Sequence, residues 1–254
     1  MIRDNIKELF KSYTEEYNVN DPKIRLKIEH TYRVADITDQ ITNSIKTDYD
    51  LDSEDQDLAW IIGMLHDIGR FEQVKRYGTF WDSESVDHAE FGADLLFGPN
   101  KDKRLNIELP NPQIIECAIR NHNKYKLPDN LSDGERLYCE IIRDADKIDI
   151  LRVQREYTPE EIYGVSWDEL LESEITDEVL EAALDGHAVD RKIRKTPMDT
   201  IVSHASMMQE LSFDRSKEIV KEQGYMKILL DKPVKKKSTI EKLEILKKHL
   251  SYLI

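Results

Sequence analysis

The sequence predicts an all-α protein in one domain, and three observations carry that expectation. Apolar residues recur at helical spacing along almost the whole chain. Alternation of the strand type, bounded by turn signals, is nearly absent, and only 9 Gly and 8 Pro interrupt 254 residues. No internal repeat, low-complexity tract or long linker divides the chain. A chain of this length buries a core without disulfides or structural metal, so a single helical domain over residues 1–254 is expected.

The elements follow in order. A first helix covers about Ile2–Tyr17. Asn20-Asp21-Pro22 opens a second, with Asp21 as N-cap and Pro22 at the first helical position; its apolar stripe is Val34, Ile37, Ile41 and Ile45. A third runs over Ser53–Leu65 and ends near Gly69. A loop rich in Tyr, Phe and Trp (Arg76 to Asp82) leads to a helix over Ser85–Phe97, which Gly98-Pro99-Asn100 stops. Helices near Asn111–His122 and Glu135–Arg152 flank a polar loop holding Pro128 and Gly134. The acidic segment Glu156–Met198 is less regular and contains a helix capped by Thr176. Helices near Met198–Leu211, Phe213–Glu222 and Thr239–Leu253 finish the chain, the last with Ile240, Leu243, Leu246, Leu250 and Leu253 on one face.

Composition excludes several functions. The net charge of −14, from 37 basic and 51 acidic residues, argues against a general duplex nucleic-acid binder. It leaves room for a small anionic substrate, because bound cations invert the local field. The basic run Lys235-Lys236-Lys237 is expected to be a solvated linker. No stretch approaches the ~20 apolar residues of a membrane span, and the start is too polar for a secretory signal. Cys117 and Cys139 form neither a disulfide framework nor a zinc cage, and read as buried free thiols of a reduced, cytoplasmic protein.

The chemistry sits on polar residues that continue apolar helix faces. His30 heads the series Val34, Ile37, Ile41. His88 shares a face with Phe91, Gly92 and Leu95, and His122 follows Ile115, Ala118 and Ile119. His66 adjoins Leu65 and is followed at once by Asp67. Asp146 and Asp149 share a face with Ile142 and Ala145. One inward histidine is ordinarily a core residue bonded to a backbone carbonyl. Several, on successive helices, would each cost about 1–3 kcal/mol if buried without a partner. Converging on a cation satisfies them together, since imidazole and carboxylate are ligands for Zn, Mn, Fe and Co. Neighbours at a helix end diverge by about 100°, so His66 can bind one ion while Asp67 bridges to a second. By contrast, His187 and His249 lie in polar stretches and are expected to face solvent, and His204 takes no role.

These strings resemble the HD-domain superfamily of metal-dependent phosphohydrolases: a lone His, an adjacent His-Asp pair, then a distal Asp. The matching segments are HTYRVADI at His30, GMLHDIGRFEQ at His66, IRNHNKY at His122 and RDADKIDIL at Asp146. The resemblance covers about residues 20–155 as a helical metal-binding core and leaves 156–254 as a C-terminal extension. The last ligand is Asp144 or Asp146; Asp146 is preferred because it shares the Ile142/Ala145 face. His88 and His122 correspond to the two further histidines of the binuclear branches. The resemblance therefore implies two divalent ions (Mn, Fe, Co, Ni, Zn or Mg), with Asp67 bridging. The Gly-Tyr-Pro signature of the cyclic-di-GMP branch is missing.

The implied activity is hydrolysis of a small phosphate ester, nucleotide or phosphodiester by a metal-activated water. Arg70, one turn after Asp67, is the expected phosphate clamp, since a guanidinium offers a bidentate fork. Lys147 and Arg76 are weaker candidates, with surface ion pairing as the alternative. Tyr77, Phe80 and Trp81 form either a lid over the substrate or simple loop packing. Two other readings use the same residues. One is a di-iron oxygenase, because some superfamily members activate oxygen with this ligand set. The other is a non-catalytic ligand-binding module, which the complete ligand set makes less attractive.

Overall fold

The computed structural model describes residues 2–254, and every regular element among them is helical. The chain divides into two compact units, residues 1–146 and 147–254. The first holds α1 (Ile2–Thr14), α2 (Pro22–Ile45), α3 (Ser53–Leu65), α4 (Gly69–Tyr77), α5 (His88–Phe97), α6 (Pro112–Asn121) and the start of α7 (Asp133–Glu156).

Local chemistry sets these boundaries. Asp21 accepts from the Lys23 N–H at 2.9 Å and caps α2, with Pro22 in the first turn. Asp52 opens α3 in a reciprocal capping box with Asp55. The α2 stripe Val34, Ile37, Ile41, Ile45 is buried as expected. It packs on α3 at very short range, since a Cβ on Gly63 would lie 2.7 Å from Ala35 Cα. Arg3 ties α1 to both helices, donating to Asp39 at 2.6 and 2.9 Å and to Asp57 at 2.5 Å.

Several boundaries differ from expectation. The first helix stops at Thr14 rather than Tyr17, because its last turn tightens to bonds from Glu16 to Tyr13 and from Tyr17 to Thr14. Gly69 starts a helix instead of ending one, and α4 occupies a segment with no helix expected. There the glycine serves close approach: a Cβ would lie 2.5 Å from the His88 carbonyl oxygen and 2.7 Å from Gly92 N, where α4 meets α5. Arg76 and Tyr77 therefore end a helix, and the connection begins at Gly78, in the left-handed region at φ 70°. α5 begins at His88 rather than Ser85, since Asp87 takes the cap and Asp82–Glu84 forms a separate 3-10 turn.

The second unit holds α8 (Pro159–Tyr163), α9 (Trp167–Leu171), α10 (Asp177–Leu184), α11 (Pro197–Ser206), α12 (Asp214–Gln223), α13 (Tyr225–Leu230) and α14 (Lys237–His249). Its core gathers on α11, where Met198, Ile201, Val202 and Ala205 are buried. The region read as irregular contains α8 and α9, each opened by a capping box, Thr158 with Glu161 and Ser166 with Glu169. Thr176 does precede α10, but its hydroxyl bonds to Asp199 at 3.2 Å instead of capping the helix. The expected Met198–Leu211 helix breaks at Ser206 into a 3-10 turn. The last helix yields to a 3-10 turn at Ser251–Leu253, and Ile240 of its stripe is 44% exposed. Lys235 and Lys236 pair with Asp168, Glu172 and Glu174 on the surface. Among the described residues no helix is long and apolar enough to cross a membrane.

Candidate metal centre

Six residues from five helices and their ends meet inside the first unit. His30 comes from the third turn of α2. His66 is the residue after α3, and Asp67 follows it into the turn before α4. His88 opens α5, His122 is the residue after α6, and Asp146 lies on α7. Packing of α2 on α3 brings His30 to His66, and packing of α4 on α5 brings His88 to Asp67.

Asp67 stands at the centre, and its two oxygens face different partners. Oδ2 lies 3.6 Å from His30 Nε2 and 3.5 Å from His66 Nε2. Oδ1 lies 3.4 Å from His88 Nε2 and 3.8 Å from His122 Nε2. Two triads result, His30–His66–Asp67 and Asp67–His88–His122, each with donor atoms within 4.8 Å of one another. Asp146 Oδ1 joins the first, 3.0 Å from His30 Nε2 and 3.9 Å from His66 Nε2. Asp144 is buried, and the Asp146 carboxylate reaches the histidines. Asp149 instead pairs with Arg152 at 2.8 Å.

Hydrogen-bond chemistry shows what such a cluster fits. His66 Nδ1 donates to the Gly63 carbonyl at 2.7 Å, and His122 Nδ1 donates to the Ile119 carbonyl at 2.7 Å. His88 Nδ1 donates to the Asp82 carboxylate at 2.6 Å. These partners only accept, so each ring carries a proton on Nδ1, and in the neutral, ligating form Nε2 is left bare. The Nε2 atoms of His88 and His122 are 3.0 Å apart, two lone pairs facing each other. His66 Nε2 and Asp67 Oδ1 are buried with no hydrogen-bond partner. Orphaned acceptors pointed at common space are what a cation satisfies.

Electrostatics agree. Burial holds His66 down to about 4, against the pull of Asp67. Burial, with Arg70 adding to it, holds His88 down to about 3. Both imidazoles are neutral at pH 7, the ligating form. Burial pushes Asp67 up, yet Lys27, His66, His122 and Arg70 outweigh it and hold the carboxylate well below the usual range. Burial likewise opposes ionisation of Asp146, but His30 and His66 hold it low.

Two residues beside the centre escaped the sequence reading. Lys27 Nζ lies 2.5 Å from Asp67 Oδ2, one turn before His30 on the same face of α2; that i, i+3 spacing was the available signal. Asp82, read only as the end of a loop, receives the His88 ring. Arg70 lies beside Asp67, with Nε 3.5 Å from Oδ1. Its Nη1, however, donates to Gln73 at 2.8 Å, the Phe80 carbonyl at 2.7 Å and Asp82 at 2.9 Å. Lys27 and Arg70 both lie 5.6 Å from the centroid of the Phe80 ring. Arg76 pairs with Glu72 at 3.0 Å and stacks on Phe91. In the second unit, Lys147 lies 3.5 Å from Glu210. Tyr77 and Trp81 are exposed.

The remaining histidines and cysteines divide. His187 is exposed, as expected. His249 is not: it is half-buried and bonds Gln209 at 2.9 Å, because α14 turns that edge toward its own unit. Cys139 is buried and Cys117 half-buried, both free.

Residues 28–151 match the HD domain family. HD domains bind divalent metals and are commonly metal-dependent phosphohydrolases, and the two triads of this chain suit metal binding. No curated protein and no solved structure gives a significant match.

Proposed function

We propose that this chain is a phosphohydrolase that uses two divalent ions to cleave a small phosphate ester, nucleotide or phosphodiester. One observation supports this above others: the two oxygens of Asp67 face separate groups of histidines. That is the layout of a carboxylate shared between two ions. His30, His66, Asp67 and Asp146 are the ligands proposed for one ion, and Asp67, His88 and His122 for the other. Bound divalent ions supply a nucleophilic water and draw charge from phosphorus.

The chain's own groups do the positioning. Arg70 Nη1 is held by the Phe80–Asp82 segment, which leaves Nη2 to a phosphate oxygen. Lys27, also beside Phe80, brings a second positive charge on a flexible stem. Together they offset locally the repulsion between a phosphate and a chain of net charge −14. The exposed ring of Trp81 offers a face to a base or another flat leaving group.

Elemental analysis of protein purified without added metal, with assays of a generic phosphomonoester and phosphodiester in Mn²⁺, tests the proposal. Two ions per chain and turnover abolished in Asp67→Ala are expected. Two irons with oxygen consumption and no hydrolysis would replace it with an oxygenase, and no ion uptake after Mn²⁺ soaking would remove the site.

A further inference from the structure

We infer that Asp82 is a positioning residue: it fixes the His88 ring for the second ion and ties that ring to the segment carrying Phe80 and Trp81. The inference rests on the two-ion reading above. Asp82 Oδ2 accepts from His88 Nδ1 at 2.6 Å, while Oδ1 accepts from Arg70 Nη1 and Gln73 Nε2, each at 2.9 Å. Gln73 is fully buried, and its amide also reaches Ser85 Oγ at 2.9 Å and the Val86 carbonyl at 3.1 Å. The segment before α5 is thus gathered onto one carboxylate, and that carboxylate holds a proposed ligand.

Asp82, Asp87 and His88 also have the spacing of an ion site of their own. The bonds of Asp87 argue against that use. Its Oδ1 accepts from the Ala89 N–H at 3.0 Å and from Asn123 at 2.8 Å, and its Oδ2 from Lys124 at 2.9 Å. Asp87 is committed as the cap of α5, and Asp82 is left acting on His88.

The tautomer is what Asp82 controls. With the carboxylate accepting at Nδ1, the ring proton cannot move to Nε2. Without it, a proton on Nε2 would point at His122 Nε2, 3.0 Å away, and a His–His hydrogen bond would close the space the ion needs. A carboxylate behind a ligating histidine typically contributes about 10–100-fold in metal affinity. Asparagine has a single acceptor oxygen. In Asp82→Asn it can serve His88 or the Arg70/Gln73 pair, but not both.

Mn²⁺ titration calorimetry on the full chain, with ¹⁵N histidine spectra of ion-free protein, tests this. In Asp82→Ala one of the two ions should bind about 10–100-fold more weakly, the other should be unchanged, and His88 should move its proton to Nε2. Asp82→Asn should fall between. The unaffected ion serves as the internal control that the fold is intact. Two ions in the wild type with unchanged binding in Asp82→Ala, equal weakening of both ions, or a His88 that keeps its Nδ1 proton overturns the role of Asp82 alone. A wild-type chain that takes up no second ion overturns the two-ion reading, and Asp82's purpose with it.

Discussion

Gly69→Ala is the substitution that couples packing most directly to the site. The added methyl would lie 2.5 Å from the His88 carbonyl oxygen, 2.7 Å from Gly92 N and 2.9 Å from Gly92 Cα. All three are backbone atoms, so no side chain can turn aside. Ordinary contact begins at 3.4 Å, which requires α4 and α5 to separate by roughly 0.9 Å at the closest atom. The shift carries His88, whose Nε2 sits 3.4 Å from Asp67 Oδ1. Site geometry tolerates about 0.5 Å, so the Asp67–His88–His122 group should lose affinity at least tenfold. The His30–His66 group, set by α2 on α3, should keep its own. Overpacking of this kind costs about 1–3 kcal/mol, while alanine regains about 1 kcal/mol of helix propensity at most. Denaturant melts with and without Mn²⁺, beside titration of both ions, measure the two effects. Gly78→Ala is the control: its Cβ meets nothing within 4 Å, though its φ of +70° is strained for alanine, so stability should fall and ion binding stay. A Gly69→Ala protein that melts like the wild type and binds both ions equally well would refute this account.

Lys27→Met should lower the stability of ion-free protein by about 3 kcal/mol, because buried Asp67 loses its 2.5 Å partner. The same variant should bind Mn²⁺ more tightly, since the ammonium and the ion compete for Oδ2; equal melting temperatures and equal affinity would count against it. In the second unit, His204 bonds Tyr163 Oη at 3.0 Å, and burial, then Arg194 and Arg191, hold it down to about 3. A histidine held low in the folded state keeps its full stability above its unfolded pKa of about 6.5 and loses it as pH falls toward 3. Stability should therefore drop below pH 6.5 by up to about 1.4 kcal/mol per pH unit from this group. His204→Gln should flatten that part of the curve, and an unchanged slope would show that the histidine does not carry it.

Much of the first unit was legible in the chain. Asp21-Pro22 and the α2 stripe announced their helix through side-chain capping and a period of 3.6, both properties of a few neighbouring residues. The proposed ligands were legible in two ways: the histidines and Asp146 continued apolar faces, and the resemblance to the HD-domain superfamily separated them from Asp149, which shares that face and pairs with Arg152. Where reading failed, a distant partner made the choice. Nothing near Gly69 in the sequence marks it as a helix start, because its reason is the backbone of α5 across the contact. Thr176 looks like a cap, and the Asp199 carboxylate takes its hydroxyl instead. The missed helices α8 and α9 are a different case, since their Thr-x-x-Glu and Ser-x-x-Glu boxes were present and went unread beneath an irregular apolar pattern.

Helix class, inward-facing histidines and aspartates, and the adjacency of His66 to Asp67 are properties of the chain order. They follow from periodicity and from the turn angle between neighbours, and no fold is needed to state them. Which oxygen of Asp67 faces which histidines is a different kind of fact. So are the approach of Asp146 to His30, the ammonium of Lys27 on the central carboxylate, and the hold of Asp82 on His88. They depend on contacts that reach as far as the 116 positions between His30 and Asp146, decided by how closely helices approach. Sequence spacing supplies directions around a helix axis; ångström distances between axes come only from packing.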